Sequence, residues 1–234
     1  MSVIRFRQQP RKADETVWSG EMLQKFRLYR TAPYVSGVLV AVNVLIFLWC
    51  SFTGNLPGNT IGISPHLFFE NREYYRMIAS MFFHADIGHL VNNMLILFGL
   101  GAMIEKEIGH IAFAILYFAA GIGGNVVSLI YKIRMGEWYV ESIGASGAVF
   151  GLVGVLLALV LISDLNLPNA TPARVLFVVA YSIYTGIGNS DIDNAAHIGG
   201  ALSGVLAGGI WCMISFGIKK YKSSRDGQQE RRGS

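Results

Sequence analysis

The chain has 234 residues, of which 53% are hydrophobic and only 15% charged, and its mean hydropathy is +0.45. This composition excludes an ordinary soluble domain and indicates an integral membrane protein. The formal net charge is +4. Lys and Arg concentrate at the two ends of the chain, which is typical of the cytoplasmic flanks of membrane spans rather than of a nucleic-acid-binding surface.

Six apolar runs are candidates for membrane-spanning helices. A hydrocarbon core about 30 Å thick requires roughly 20 apolar residues per helix. The runs are 35–53, 87–104, 111–130, 142–163, 175–190 and 194–218, and the fifth is the shortest. The sequence therefore predicts an all-α polytopic bundle of six transmembrane helices. It divides the chain into a basic N-terminal segment (1–34), a membrane core (35–218) and a basic tail (219–234).

The distribution of basic residues predicts the orientation of the bundle. With both termini in the cytoplasm, the cytoplasmic segments hold 15 Lys and Arg and the opposite side holds 4. This asymmetry follows the positive-inside rule and requires an even number of spans. We therefore expect six spans with cytoplasmic N- and C-termini, in the plasma membrane.

Glycines recur with helical spacing in the fourth and sixth spans. In lipid, small residues allow two helix backbones to approach closely and gain van der Waals contact. The pattern predicts tight packing between these two spans. Its members are Gly144, Gly147, Gly151 and Gly154 in the fourth span, and Gly200, Gly204 and Gly208 in the sixth.

The longest connection, 54–86, mixes charged residues with large aromatic side chains. Such a segment is compatible with the membrane interface, where aromatic rings and arginine stems are stable. It is equally compatible with a folded loop packed on the bundle. The sequence leaves both possibilities open.

Polar side chains in three separate spans fall at one predicted depth. With this orientation, His89 and Asn93 lie near the outer end of the second span, Ser146 a few residues into the fourth and His197 a few residues into the sixth. At 1.5 Å per residue, each lies on the order of 5 to 10 Å below the outer boundary. Polar groups inside a span are costly and usually functional.

These residues suit nucleophilic catalysis. Serine becomes nucleophilic when a base such as imidazole accepts its proton. Since the fourth and sixth spans contain no Asp or Glu, the sequence predicts a Ser146–His197 dyad rather than a triad. The Ser146 backbone N–H, with Asn93 and His89 as side-chain candidates, would stabilise an oxyanion.

Several motifs resemble those of the rhomboid family of intramembrane serine proteases. They are GASG at 144–147, AHIGGALSG at 196–204, HADIGHLVNNM at 84–94 and GAMIEKEIG at 101–109. The resemblance covers roughly residues 60 to 210.

The resemblance implies a six-helix core in which Ser146 attacks a peptide carbonyl and His197 acts as general base and then acid. It implies that His89 and Asn93 hold the oxyanion, that Gly144 and Phe150 support the site, and that His84 is a further candidate. The implied substrates are single-pass membrane proteins cleaved in the bilayer near the outer face. No cofactor or metal is implied.

Two positions depart from the family pattern. Phe150 stands where many members have tyrosine, so it can stack on His197 but offers no hydroxyl. Tyr75 precedes Arg76 where the family has a Trp-Arg pair. Neither departure removes a catalytic group.

Other functions compete with proteolysis. A proteolytically silent relative that binds membrane proteins has the same fold, although both Ser146 and His197 are present here. Six spans with buried polar groups also suit a small transporter, but no inverted repeat is apparent and the polar groups share one depth. A metal enzyme is disfavoured because the histidines are few and HExxH is absent. The sequence does not determine the oligomeric state.

Overall fold

The fold is taken from a computed structural model that describes residues 32–54, 61–162 and 192–232, with side chains described as far as residue 215. Within these ranges, five long helices form the fold. They are α1 (Tyr34–Thr53), α2 (Ile87–Ile108), α3 (His110–Met135), α4 (Ser146–Ile162) and α5 (Asn194–Arg232).

The helices confirm a polytopic helical membrane bundle. Within the described ranges, α1, α2, α3 and the first part of α5 (Asn194–Ser215) are long and apolar enough to cross a membrane, and α4 is a shorter apolar helix. The predicted fifth span, 175–190, lies outside the described residues, so the count of six stays a prediction. Helix α5 runs on to Arg232 without a break at 218.

The helix ends have local causes. Helix α2 begins after Asp86, whose carboxylate accepts a hydrogen bond from the backbone N–H of His89 at 2.9 Å, as an N-cap does. Helix α3 ends at Gly136, whose φ of +76° is left-handed. Glycine adopts this conformation without a Cβ penalty and turns the chain toward α4.

Helices α4 and α5 pack backbone to backbone, as the glycine stripes predict. A Cβ on Gly200 would overlap the carbonyl oxygen of Gly147 and lie 2.9 Å from its carbonyl carbon. One turn further on, a Cβ on Gly204 would lie 2.9 Å from the Cα of Gly151. The glycines therefore set the separation between the two helices.

The prediction for Gly144 is wrong in one respect. The apolar run was expected to be helical from residue 142, with Gly144 on the stripe, but α4 begins only at Ser146. Gly144 has a φ of +116°, which is incompatible with a helix. It lies in the loop before α4 because the chain must turn there into the helix.

The first connection, between α1 and α2, packs against the bundle on one side and is exposed on the other. Arg76 is buried, and its guanidinium donates to the Gly62 carbonyl at 2.8 Å and to the Glu73 carboxylate at 2.7 Å. On the outer surface of the same segment, Phe69, Tyr74 and Tyr75 are at least half exposed. One side of the connection thus packs on the bundle, while the other presents aromatic rings.

A buried carboxylate joins the helices at the end of the bundle where α1 begins. Glu105 accepts from the backbone N–H groups of Val35 and Ser36 at 2.8 Å and from the Ser36 hydroxyl at 2.6 Å. Oε1, the oxygen that accepts from Val35, also contacts Nδ1 of the His110 ring at 2.5 Å. Glu105 therefore satisfies N–H groups that have no acceptor within α1.

Candidate functional site

Ser146 and His197 lie on the contact between α4 and α5. Ser146 is the first residue of α4 rather than a few residues inside a helix, and it is partly buried. His197 lies in the first turn of α5 and is 9% exposed. The next residue after Ser146, Gly147, touches Gly200, one turn after His197. The two first turns are therefore neighbours.

Phe150 links the two helices through its ring. It stacks on the His197 imidazole with ring centroids 4.2 Å apart and an angle of 11° between the planes. Because Phe150 is one helical turn after Ser146, the stack holds the imidazole against the helix face that carries the hydroxyl. No hydrogen bond joins Ser146 to His197 among the described residues, and the buried His197 Nδ1 has no partner there.

His84, His89 and the loop before α4 form the wall beside Ser146. A Cβ on Gly144 would lie 2.6 Å from Cε1 of His89, so the loop rests directly on that ring. The His84 and His89 rings meet edge to face with centroids 5.1 Å apart. The backbone N–H of Ala145 donates to His84 Nε2 at 3.4 Å. His84 thus supports the residue next to Ser146.

Burial keeps His84 neutral. Desolvation is the main cause that lowers its pKa to about 4, and the neighbouring His89 lowers it further. A neutral ring retains the lone pair that accepts the Ala145 N–H. At physiological pH His84 is therefore an acceptor and not a cation.

Asn93 faces the interior of the bundle, whereas Asn92 is exposed. The Asn93 side-chain amide donates one hydrogen bond to the His89 carbonyl at 3.0 Å. An amide group has two N–H donors, so a second one remains for another acceptor. This contact fixes Asn93 one turn below His89, on the face that the spacing of four residues predicts.

The first turn of α4 presents backbone donors. The N–H groups of Ser146, Gly147 and Ala148 have no acceptor within their own helix because they precede its first complete turn. The positive end of the helix dipole also lies there. By contrast, the N–H of Gly144 already donates to the Ser80 carbonyl at 2.9 Å. Donors for an anion therefore come from Ser146 onward.

One polar cluster beside the site escaped the sequence analysis. Asp193 directly precedes α5, and its carboxylate is contacted by Lys132 Nζ at 3.5 Å, by Ser128 Oγ at 2.5 Å and by the Ser142 hydroxyl. In the sequence, Asp193 is visible only as part of an Asp-Asn pair at the start of a helix, and this pattern predicts an N-cap and nothing more.

The charge of Lys132 stabilises the Asp193 carboxylate. Burial acts to raise the pKa of Asp193, but Lys132 and the two serine hydroxyls outweigh it and hold this pKa below its usual value. Asp193 is therefore ionised at neutral pH. A carboxylate so close to His197 was not expected from the spans alone.

The arrangement brings together groups that suit acyl transfer. A hydroxyl at a helix N-terminus, an imidazole on the adjoining helix, and side-chain and backbone donors around them all lie at one end of the bundle. These are a nucleophile, a base and candidate oxyanion donors. Their catalytic roles remain predictions.

Comparison with known proteins points to one family. The Rhomboid domain family matches residues 71–214. Rhomboid protease GluP of Bacillus subtilis (strain 168) is 27% identical over 192 residues, which cover 80% of this chain and 36% of that protein. The putative rhomboid protease YdcA of the same organism is 30% identical over 193 residues, covering 80% of this chain and 91% of that protein.

A plant relative extends the similarity. RHOMBOID-like protein 1 of Arabidopsis thaliana is 35% identical over 141 residues, which cover 59% of this chain and 35% of that protein. The chain thus spans about a third of GluP and of this plant relative but most of YdcA. The family match covers more than half of the chain and includes all the residues of the site. This chain is a member of the rhomboid family.

Proposed function

We propose that this chain is an intramembrane serine endopeptidase in which Ser146 is the nucleophile and His197 the general base. The observation that carries the proposal is the stack of Phe150 on His197 at 4.2 Å, one helical turn from Ser146. It keeps the imidazole on the Ser146 side of α5. The similarity to proteins named rhomboid proteases supports the same activity.

The chemistry follows from the roles of the two groups. His197 accepts the Ser146 hydroxyl proton as Oγ attacks the scissile carbonyl, and a tetrahedral oxyanion forms. The protonated imidazole then gives its proton to the leaving amine, which leaves an acyl-enzyme ester. His197 then accepts a proton from water as the water attacks the ester, and a second tetrahedral intermediate forms. When this intermediate collapses, the bond to Oγ breaks, His197 returns its proton to Oγ, and the new C-terminal carboxyl group is released.

The oxyanion is stabilised by donors beside Ser146. The Ser146 backbone N–H is preorganised by the helix start, and the remaining N–H of Asn93 and the His89 ring contribute from α2. Gly144 has a structural reason to be glycine, because any side chain would overlap His89. A larger residue there would displace both the ring and the loop.

The substrates in this proposal are transmembrane segments of single-pass proteins. A helix satisfies its own backbone groups in lipid, so it must open locally before a carbonyl can be attacked. With cytoplasmic termini, the site lies near the outer face, and the plasma membrane is the proposed location. One Arabidopsis thaliana relative is named RHOMBOID-like protein 6, mitochondrial, so location varies among the relatives.

A fluorophosphonate probe tests the proposal. We expect it to label the detergent-solubilised wild-type protein but neither Ser146→Ala nor His197→Ala, and we expect cleavage of a single-span substrate to disappear in both variants. Ser203→Ala is the matched control, since Ser203 lies in α5 against Gly123, away from the proposed dyad.

Two results would count against the proposal. Labelling that persists in Ser146→Ala assigns the nucleophile elsewhere. A folded wild-type protein that binds a single-span segment without labelling or cleavage is instead a proteolytically silent relative.

A further inference from the structure

The polar cluster at Asp193 has no part in the dyad, yet it touches both segments that carry Ser146 and His197. We define the Asp193 cluster as Ser128, Lys132, Ser142 and Asp193. Ser128 and Lys132 lie on one face of α3, Ser142 lies in the loop before α4, and Asp193 directly precedes α5. Ser128, Lys132 and Ser142 are each at most 7% exposed.

Asp193 holds the start of α5 through both of its carboxylate oxygens. Oδ1 accepts the backbone N–H of Ala196 at 2.8 Å, and the Asp193 carbonyl accepts the N–H of His197 at 3.1 Å. Oδ2 receives the hydroxyls of Ser128 and Ser142. The residue that caps the His197 helix is thus bonded to α3 and to the loop before Ser146.

Ser142 holds the loop that leads to Ser146. Its hydroxyl donates to Asp193 and accepts from the Lys132 ammonium. Its backbone exchanges two hydrogen bonds of 2.9 Å with Ile63 in the first connection. Only Ile143, Gly144 and Ala145 separate Ser142 from the proposed nucleophile.

The charges in the cluster balance one another. Lys132 and Asp193 are opposite in sign, with Nζ 3.5 Å from Oδ2. Removing one partner leaves a buried charge without compensation, so the remaining groups must shift. A shift in this cluster therefore moves both segments that carry the dyad.

We propose that the Asp193 cluster positions the dyad, by fixing the loop before Ser146 and the first turn of α5 to the common support of α3. The inference rests on the proposed serine protease function. Asp193 acts through the backbone of α5 and is a positioning residue. No hydrogen bond joins its carboxylate to the His197 ring among the described residues.

Asp193→Asn tests this role with minimal change in shape. Asparagine is also a good N-cap, so the bond to Ala196 survives. Its amide NH₂, however, replaces the carboxylate oxygen Oδ2, so a donor stands where an acceptor faced the two serine hydroxyls and the Lys132 ammonium. The measurement is kcat and KM for a single-span substrate. The concentration of active sites is titrated with a fluorophosphonate probe and kcat is expressed per titrated site, so that unfolded protein does not lower the value.

We expect kcat per titrated site to fall on the order of tenfold to a hundredfold in Asp193→Asn, because displacements of about 1 Å are enough for such losses. KM stays within about twofold, since substrate binding elsewhere is untouched. Adding Lys132→Met removes the uncompensated charge. The double variant is therefore no slower than Asp193→Asn alone, which shows that the two residues act as a pair.

The Ser142 hydroxyl has its own matched pair of variants. Ser142→Thr keeps the hydroxyl, and the extended backbone at this position accepts a β-branched residue. We therefore expect this variant to keep the wild-type kcat. Ser142→Ala loses the hydroxyl and behaves like Asp193→Asn. Glu107→Gln, an exposed carboxylate at the far end of α2, is the control for charge alone and leaves kcat unchanged.

Three outcomes would overturn the inference. The first is an unchanged kcat per titrated site in Asp193→Asn, even where less protein folds, because that result makes the cluster purely structural. The second is a double variant whose losses simply multiply. The third is equal activity of Ser142→Thr and Ser142→Ala. If the wild type itself fails to label at Ser146, the proposed function fails first and the two failures are distinguished.

Discussion

Replacing Gly200 by alanine tests whether the glycine contact sets the catalytic geometry. A Cβ at this position lies 2.9 Å from the carbonyl carbon of Gly147 and closer still to its oxygen. Ordinary van der Waals contact begins at 3.4 Å, so α4 and α5 must separate by at least the difference between 2.9 and 3.4 Å, which is 0.5 Å. The backbone of Gly147 cannot move aside without moving Ser146.

The expected loss follows from this separation. A misplacement of 1 Å costs about a hundredfold in rate, so half of that or more lowers kcat on the order of tenfold or beyond. Alanine also raises intrinsic helix propensity by about 1 kcal/mol relative to glycine. This gain in helix propensity offsets part of the packing lost in Gly200→Ala. The variant therefore loses much of its kcat while its free energy of unfolding changes little.

Gly209→Ala is the matched control on the same helix. A Cβ there lies 3.6 Å from the flexible end of Ile162, which is ordinary contact. The assay is kcat for a single-span substrate in detergent, with thermal unfolding of the same samples. A Gly200→Ala protein that cleaves within twofold of wild type, or a Gly209→Ala protein that loses as much, would refute the reasoning.

Three further changes have expected outcomes. If the Asn93 amide is an oxyanion donor, Asn93→Ala lowers kcat by about a hundredfold. The exposed neighbour Asn92 is the control, and Asn92→Ala leaves kcat unchanged. Equal effects of the two substitutions on kcat would contradict the assignment. The unfolded chain protonates His84 below about pH 6.5, but the folded chain only below about 4, so stability is present above pH 6.5 and is lost as the pH falls to 4. The loss reaches about 3 kcal/mol of unfolding free energy. His84→Gln retains an acceptor for Ala145 but has no imidazole to protonate, so chemical denaturation of this variant should lack the pH-dependent loss. A variant whose stability depends on pH as the wild type does would show that His84 is not its cause. Glu105→Gln presents an amide donor to the N–H groups of α1 and lowers the free energy of unfolding by about 1–3 kcal/mol; an unchanged melting temperature would show that this carboxylate is dispensable.

The site was predictable where a residue type and a helical spacing were enough. Asn93 was preferred to Asn92 because the two point about 100° apart on a helix, and the structure buries Asn93 and exposes Asn92. The glycine stripes predicted which helices touch. Catalytic assignments to Ser146 and His197 rest on chemistry and resemblance and stay predictions until the labelling experiment is done.

The prediction failed where the chain leaves the helix. Gly144 fits a helical stripe by spacing, but its φ of +116° belongs to a turn that rests on His89. Hydrophobic periodicity cannot register this, because an apolar run continues through both the loop and the helix. The start of α4 at Ser146 was therefore missed by a few residues.

The sequence by itself determined that this is a helical membrane protein and which helix faces carry small or polar residues. It could do so because a bilayer demands long apolar helices and penalises each polar group within them. Only the tertiary structure decided that Lys132, Ser142 and Asp193 meet, since Asp193 lies 51 residues from Ser142 along the chain. Contacts of that range depend on how loops return to the bundle, and no local pattern encodes them.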